Sequence, residues 1–269
     1  MVARCEDNVA ETPQGRISYR DWSGDGPVVI GIPGTLMDRT MFDPQGAFLA
    51  PRYRLIAVDN RGRSNDRWQG PYTMLDLASD CVALADHLGI ERFTIFGMSM
   101  GGYVAAHLAL SAPHRIDCVV FQNSITTIHP SPNQQVWKKL REQDVMGPWT
   151  VDLAKQVFGT SAQRNRPDLI DHWVRKWWWQ KAEKVYWEVE AQYTRPDVDG
   201  RLGELMMPAL VVHSAEEKFW SQQDAEAFSD RLGNGRFVLI PDAGHTAQLE
   251  VPHVVNAIVE DFLATTHRR

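Results

Sequence analysis

The chain has 269 residues, 43 % of them hydrophobic and 23 % charged, with a formal net charge of −6. That length suits one α/β domain carrying an insertion, large enough to stand without disulfide or metal. The acidic balance argues against nucleic acid as a partner, which would need a clustered basic face. No stretch approaches the roughly 18 apolar residues of a membrane span. Cys5, Cys81 and Cys118 are odd in number and lie outside any CxxC pattern. They read as thiols of a reducing compartment. The first residues, MVARCEDNVAETP, lack the apolar core of a signal peptide. The expectation is therefore a cytoplasmic protein, monomeric or homodimeric, free of nucleic-acid and membrane partners.

Taken in chain order, short β-rich runs alternate with helical spacing, the habit of a mostly parallel sheet covered by helices on both faces. Arg16 to Trp22 reads as part of an antiparallel edge hairpin. Strands follow at Val28 to Ile32, Arg54 to Val58, Phe93 to Phe96, Cys118 to Phe121, Ala209 to His213 and Arg236 to Ile240. Several are near-continuous apolar runs, as strands buried on both sides must be. Helical patterns occupy Leu75 to Leu88, Gly102 to Leu110, Gln223 to Leu232 and Val254 to Leu263, each close to a breaker such as Gly89, Pro113, Gly233 or Pro252. From about Ser124 to Gly200 the alternation stops. This Trp- and charge-rich segment, punctuated by Pro130, Pro132, Pro148, Pro167 and Pro196, reads as short helices. The expected organisation is a core of residues 1–124 and 201–269 with a helical cap over 125–200.

Chemistry concentrates at Gly97-Met98-Ser99-Met100-Gly101, a G-x-S-x-G run set between a strand and a helix. A serine on such a sharp turn needs small residues two before and two after, which Gly97 and Gly101 supply. The turn also sets the serine at a helix N-terminus, where N–H groups favour developing negative charge. A serine hydroxyl needs a base. His245 follows the last strand on Pro241-Asp242-Ala243-Gly244, at the sheet edge where α/β proteins bind ligands. His87, His107 and His172 fall inside helical patterns, and His267 lies in the tail. The acid that orients the base is expected after Ala209 to His213. There Glu217 is the first choice, Glu216 the second and Asp224 the third. The oxyanion needs two N–H donors. Met100 is one; Thr35, with Leu36 next, is the other, on the Pro33-Gly34 turn after Val28 to Ile32.

With these residues in register, nearly the whole chain outside the cap resembles the α/β-hydrolase superfamily. Asp59-Asn60-Arg61-Gly62-Arg63-Ser64 resembles that family's D-x-R-G-x-G-x-S loop, shortened, and Gly244-His245 with Glu250 and Pro252 resembles its G-H-x-x-x-x-E-x-P ending. The layout is most similar to the 3-oxoadipate enol-lactonase and non-haem haloperoxidase branch. The resemblance implies ester or lactone hydrolysis without cofactor or metal, on a small-molecule substrate, through an acyl-enzyme on Ser99. Three positions depart from the family pattern: Pro33 in place of His, Glu217 in place of Asp, and Ser214 in place of Gly. A serine nucleophile argues against dehalogenation and epoxide hydrolysis, which use Asp there. Perhydrolysis, C–C bond hydrolysis or a hydrolase-like small-ligand receptor are the alternatives. Within the cap, Trp173, Trp177, Trp178, Trp179 and Trp187 either fix the cap to the core or line an apolar pocket. Trp177 and Trp178, with Leu36 and Met98, are the candidate pocket residues, and Trp137, Trp149 and Met37 are further candidates for its wall.

Overall fold

In the computed structural model, residues 5–63, 70–127, 139 and 142–267 are described. Eight strands form one sheet: β1 (Cys5–Thr12), β2 (Gly15–Trp22), β3 (Val28–Ile32), β4 (Arg54–Val58), β5 (Phe93–Met98), β6 (Ile116–Gln122), β7 (Ala209–Ser214) and β8 (Gly235–Ile240). Their order across the sheet is β1-β2-β4-β3-β5-β6-β7-β8. β1 pairs antiparallel with β2, and β2 with β4, while every later pairing is parallel. The edge hairpin is thus real, and the parallel strands match the expected ones to within two residues at each end.

Period-two alternation sends successive side chains to opposite faces. Ile30, Ile32, Ile56 and Val58 join one buried cluster with α2 (Met74–His87) and α3 (Met100–Ser111). Val29, Leu55 and Ala57 join the other cluster, with α1 (Asp43–Leu49). Both faces are therefore covered, which is why the central strands carry almost no polar residues. A capping box between Thr73 and Asp76 starts α2.

Between β6 and β7 the described residues include four α-helices, α4 (Trp149–Val157), α5 (Thr160–Asn165), α6 (Pro167–Trp178) and α7 (Ala182–Tyr193), and a 3-10 helix at Asp199–Glu204. Leu153, Val157, Phe158, Trp173, Trp177, Val185 and Val189 share a buried cluster with Leu36, Met37 and Met98 of the core. The described residues of this segment thus bury their apolar side chains in a cluster shared with the sheet. After β7 come α8 (Gln222–Arg231), then β8, a single turn α9 (Ala247–Glu250) and α10 (Pro252–Thr266). No helix among the described residues is long and apolar enough to cross a membrane.

The helix α1 was not expected from the sequence. Its seven residues, DPQGAFL, hold a Pro and a Gly and span too few turns for a periodicity. Tertiary packing of Leu49 and Phe42 stabilises it instead.

Candidate active site

Ser99 sits between β5 and α3 with φ 52 and ψ −118, a left-handed backbone that a non-glycine residue adopts only under constraint. The surrounding structure supplies that constraint. The Ser99 N–H donates to Gln122 O at 3.0 Å, and its carbonyl accepts from Ser124 Oγ at 2.7 Å and from Gly102 N at 2.8 Å. The two flanking glycines permit the close approach. A Cβ on Gly97 would lie 2.4 Å from Gly101 O, and one on Gly101 would lie 2.0 Å from Ile32 O. Met100 opens α3, so its N–H is a first-turn amide without an intrahelical acceptor.

His245 is buried on the loop after β8, and its Nδ1 lies 2.6 Å from Glu217 Oε2. The other carboxylate oxygen of Glu217 accepts from the Lys218 and Phe219 N–H groups at 2.8 and 2.9 Å. Burial pushes the Glu217 carboxyl up; the His245 charge and hydrogen bond and the Phe219 N–H outweigh it and hold the group below the usual carboxylate range. Of the three carboxylates weighed from sequence, only Glu217 bonds to the histidine. Glu216 accepts from Thr160 N at 2.5 Å, and Asp224 caps α8 through Ser221.

The loop carrying His245 is fixed from beneath. Glu250 accepts from Gly244 N at 3.1 Å, Gly159 N at 2.9 Å and Thr246 N at 3.2 Å. Asn123 donates to Gly244 O and His245 O at 3.1 and 2.9 Å, and His245 N donates to Val157 O at 2.8 Å. The imidazole itself is packed edge-on against Phe219 and Trp220, with ring centroids 4.7 and 5.6 Å away.

Ser99, His245, Thr35, Leu36, Met98 and Trp177 all line one cavity of about 170 Å³. Met37 and Trp149 line it as well. Trp178 does not, and this corrects the sequence expectation. Trp173 and Trp177 are one helical turn apart and both buried, whereas Trp178 is rotated about 100° away and half-exposed at the end of α6. Trp137 and Ser64 lie outside the described residues.

The loop after β3 is held by the insertion. The Leu36 N–H donates to Glu188 Oε2 at 2.9 Å, so it is not free to meet a ligand. Leu36 has φ 67, its carbonyl accepts from Gln180 Nε2 at 2.9 Å, and Thr35 Oγ1 accepts from Gln192 Nε2 at 2.7 Å. Glu188 is fully buried and faces Arg63 Nη2 at 3.2 Å, while Arg63 Nη1 donates to Gln180. Burial raises the Glu188 carboxyl, opposed by the Arg63 charge and the Leu36 N–H. Of the two backbone donors weighed from sequence, the Leu36 N–H is committed to Glu188, and Thr35 is among the residues that line the cavity. Glu188, Gln180, Gln192, Arg195, Tyr103, Phe219 and Trp220 were not singled out from sequence. Glu188 and Arg195 sit among other polar residues, and only the folded chain shows them buried.

The profile of the alpha/beta hydrolase fold matches residues 27–252. The chain belongs to the alpha/beta hydrolase fold family. It is similar to 3-oxoadipate enol-lactonase 2 of Acinetobacter baylyi, 25 % identical over 88 % of both chains. A thermophilic esterase from Thermogutta terrifontis superposes with a TM-score of 0.90 at 26 % identity, covering 97 % of this chain and 99 % of that one. A bromoperoxidase from Bacillus anthracis shares the fold, with a TM-score of 0.85 at 19 % identity over 96 % of this chain and 100 % of that one.

Proposed function

We propose that the protein is a serine hydrolase that cleaves carboxylic esters, lactones foremost, through an acyl-enzyme on Ser99. The observation that carries this reading is one cavity lined by both a left-handed serine at a helix N-terminus and a histidine bonded to a buried carboxylate. The similarity to an enol-lactonase and to an esterase points the same way.

Each residue then has one task. Glu217 fixes the imidazole through Nδ1, leaving Nε2 to take the Ser99 proton as the hydroxyl attacks the acyl carbon. Two N–H groups, Met100 and Thr35, receive the oxyanion, and the helix dipole of α3 adds to their effect. His245 returns the proton to the leaving alkoxide, which in a lactone stays tethered to the acyl chain. A water deprotonated by His245 then releases the acid. Residues 125–200 act as a cap over the core of residues 1–124 and 201–269, excluding water from the cavity and shaping its apolar wall through Trp177, Leu36 and Met98. The protein works in the cytoplasm as a monomer or homodimer.

The test is turnover of five- and six-membered lactones beside p-nitrophenyl esters of equal chain length, with Ser99→Ala in parallel. Turnover by the wild type, lost by on the order of 10⁴-fold or more in Ser99→Ala, supports the reading. Equal rates in the two proteins overturn it.

A further inference from the structure

The wall of the cavity mixes apolar and aromatic side chains with neutral polar ones such as Gln156 and Gln192, and carries a permanent charge at one place. Among the described lining residues there is no Asp, Glu or Lys, and Arg195 is the one side chain with a permanent charge. Arg195 is buried at 8 % exposure, yet among the described residues no carboxylate lies within ion-pair distance of it. The carboxylate that acts on it most strongly, Asp199, is engaged by the Thr126 and Thr127 hydroxyls and by Arg231. A guanidinium does not escape such a position by losing its proton. Buried charges are otherwise paired, so an unpaired one in a ligand cavity calls for a counter-charge from the ligand.

The group is also held still. Nη1 donates to Gln192 O, and Nη2 donates to Thr126 O at 2.9 Å and Thr127 O at 3.2 Å. The guanidinium carbon lies 3.8 Å from the centre of the Tyr103 ring. These contacts neutralise no charge, and they leave the Nε–H uncommitted. Ser99 immediately precedes α3 and Tyr103 lies in the first turn of that helix, and both line the cavity. The cation therefore stands over a first-turn residue of the helix that Ser99 precedes, on the wall of the same cavity.

We infer that Arg195 binds a carboxylate on the acyl part of the substrate, so that the esters or lactones taken by this site are anionic, their second acid group a few carbons from the scissile carbonyl. The inference rests on the hydrolase reading of Ser99. It adds a substrate class to that reading and assigns Arg195 the role of selecting it.

Arg195 also ties the end of the insertion to Thr126 and Thr127, so a loss of overall activity on its replacement would say little. A matched substrate pair removes that ambiguity. Monomethyl glutarate and methyl pentanoate have equal acyl chains and differ in a terminal carboxylate against a methyl group. The wild type is expected to favour monomethyl glutarate in kcat/KM by about tenfold or more, the range of one charge-assisted hydrogen-bonded contact. Arg195→Gln and Arg195→Lys should lose more on monomethyl glutarate than on methyl pentanoate, chiefly through KM, with the lysine variant between the other two. Equal losses on both esters, or no preference in the wild type, overturn the inference while leaving the hydrolase reading intact. If neither ester is cleaved, calorimetric titration of glutarate into the Ser99→Ala protein decides the matter. Binding that vanishes with the added Arg195→Gln change supports the carboxylate site, and absence of binding before that change overturns it.

Discussion

The two halves of the site are built by different means. On the core side, Ser99 and His245 are fixed by backbone geometry: a left-handed serine, glycines within contact distance of carbonyls, and a loop tied down by Glu250 and Asn123. On the insertion side, side chains act at a distance in sequence. Glu188 reaches Leu36, Gln192 reaches Thr35, and Arg195 reaches Thr126. The core therefore holds Ser99, His245 is held from both sides because its N–H also donates to Val157 O, and the loop after β3 is tied to α7. A movement of α7 would shift the loop at Thr35, the proposed donor, while leaving the His245–Glu217 pair as it is.

The largest effect expected from this division lies in the core. Glu217→Gln removes the charge that orients His245 and should lower kcat on the order of 10⁴-fold. The melting temperature should move by only a few degrees, because the amide keeps the volume. Steady-state kinetics beside thermal unfolding tests this, and a drop smaller than about tenfold would break the core half of the comparison.

In the insertion, the next effect is on packing. Trp177→Ala should cost about 3–5 kcal/mol in denaturant unfolding, since this fully buried ring stacks on Phe158. Trp178→Ala should stay within about 1 kcal/mol and leave KM unmoved. Equal costs would mean that the helical face of α6 has been misassigned.

Glu188→Gln probes the connection between the halves. The amide retains a carbonyl for Leu36 N–H but no longer balances Arg63. We expect kcat to fall by about tenfold with KM within twofold, the signature of a displaced oxyanion donor. A change confined to KM would show that Glu188 shapes the pocket and not the oxyanion loop.

The smallest effect is electrostatic. His107 on α3 is held down to about 4 from 6.5 by burial first, then by the Arg195 and Arg201 charges. Between those two values the unfolded chain takes up a proton that the folded chain refuses. Stability is therefore present above pH 6.5 and lost as the pH falls toward 4. His107→Gln should flatten that slope in urea unfolding series run from pH 4 to 7, and an unchanged slope would show that His107 is not the group that sets it.

How much of this was legible in the sequence follows the same division. The strands, the elbow at Ser99, His245 and Glu217 are local signals: apolar runs, glycines two residues either side, a carboxylate just past a strand end. Each is written within a few residues of the feature it specifies. Thr35 ranks above Leu36 from sequence, but what occupies the Leu36 N–H is not legible there, because its acceptor Glu188 lies 152 residues beyond. Trp178 was misjudged for a related reason. Trp173 and Trp177, four residues apart, share a helix face that Trp178 turns away from, and the cavity lies on the side of Trp177. Arg195, in the polar stretch Gln192-Tyr193-Thr194-Arg195-Pro196-Asp197, reads as a solvated charge until burial and its carbonyl partners are known.

The central claim, an activated serine at position 99, is tested most directly by intact-mass analysis after treatment with a fluorophosphonate. The account predicts one adduct on the wild type, none on Ser99→Ala, and much slower labelling of His245→Ala. A folded wild-type protein that takes no adduct, or an adduct that persists in Ser99→Ala, would contradict it.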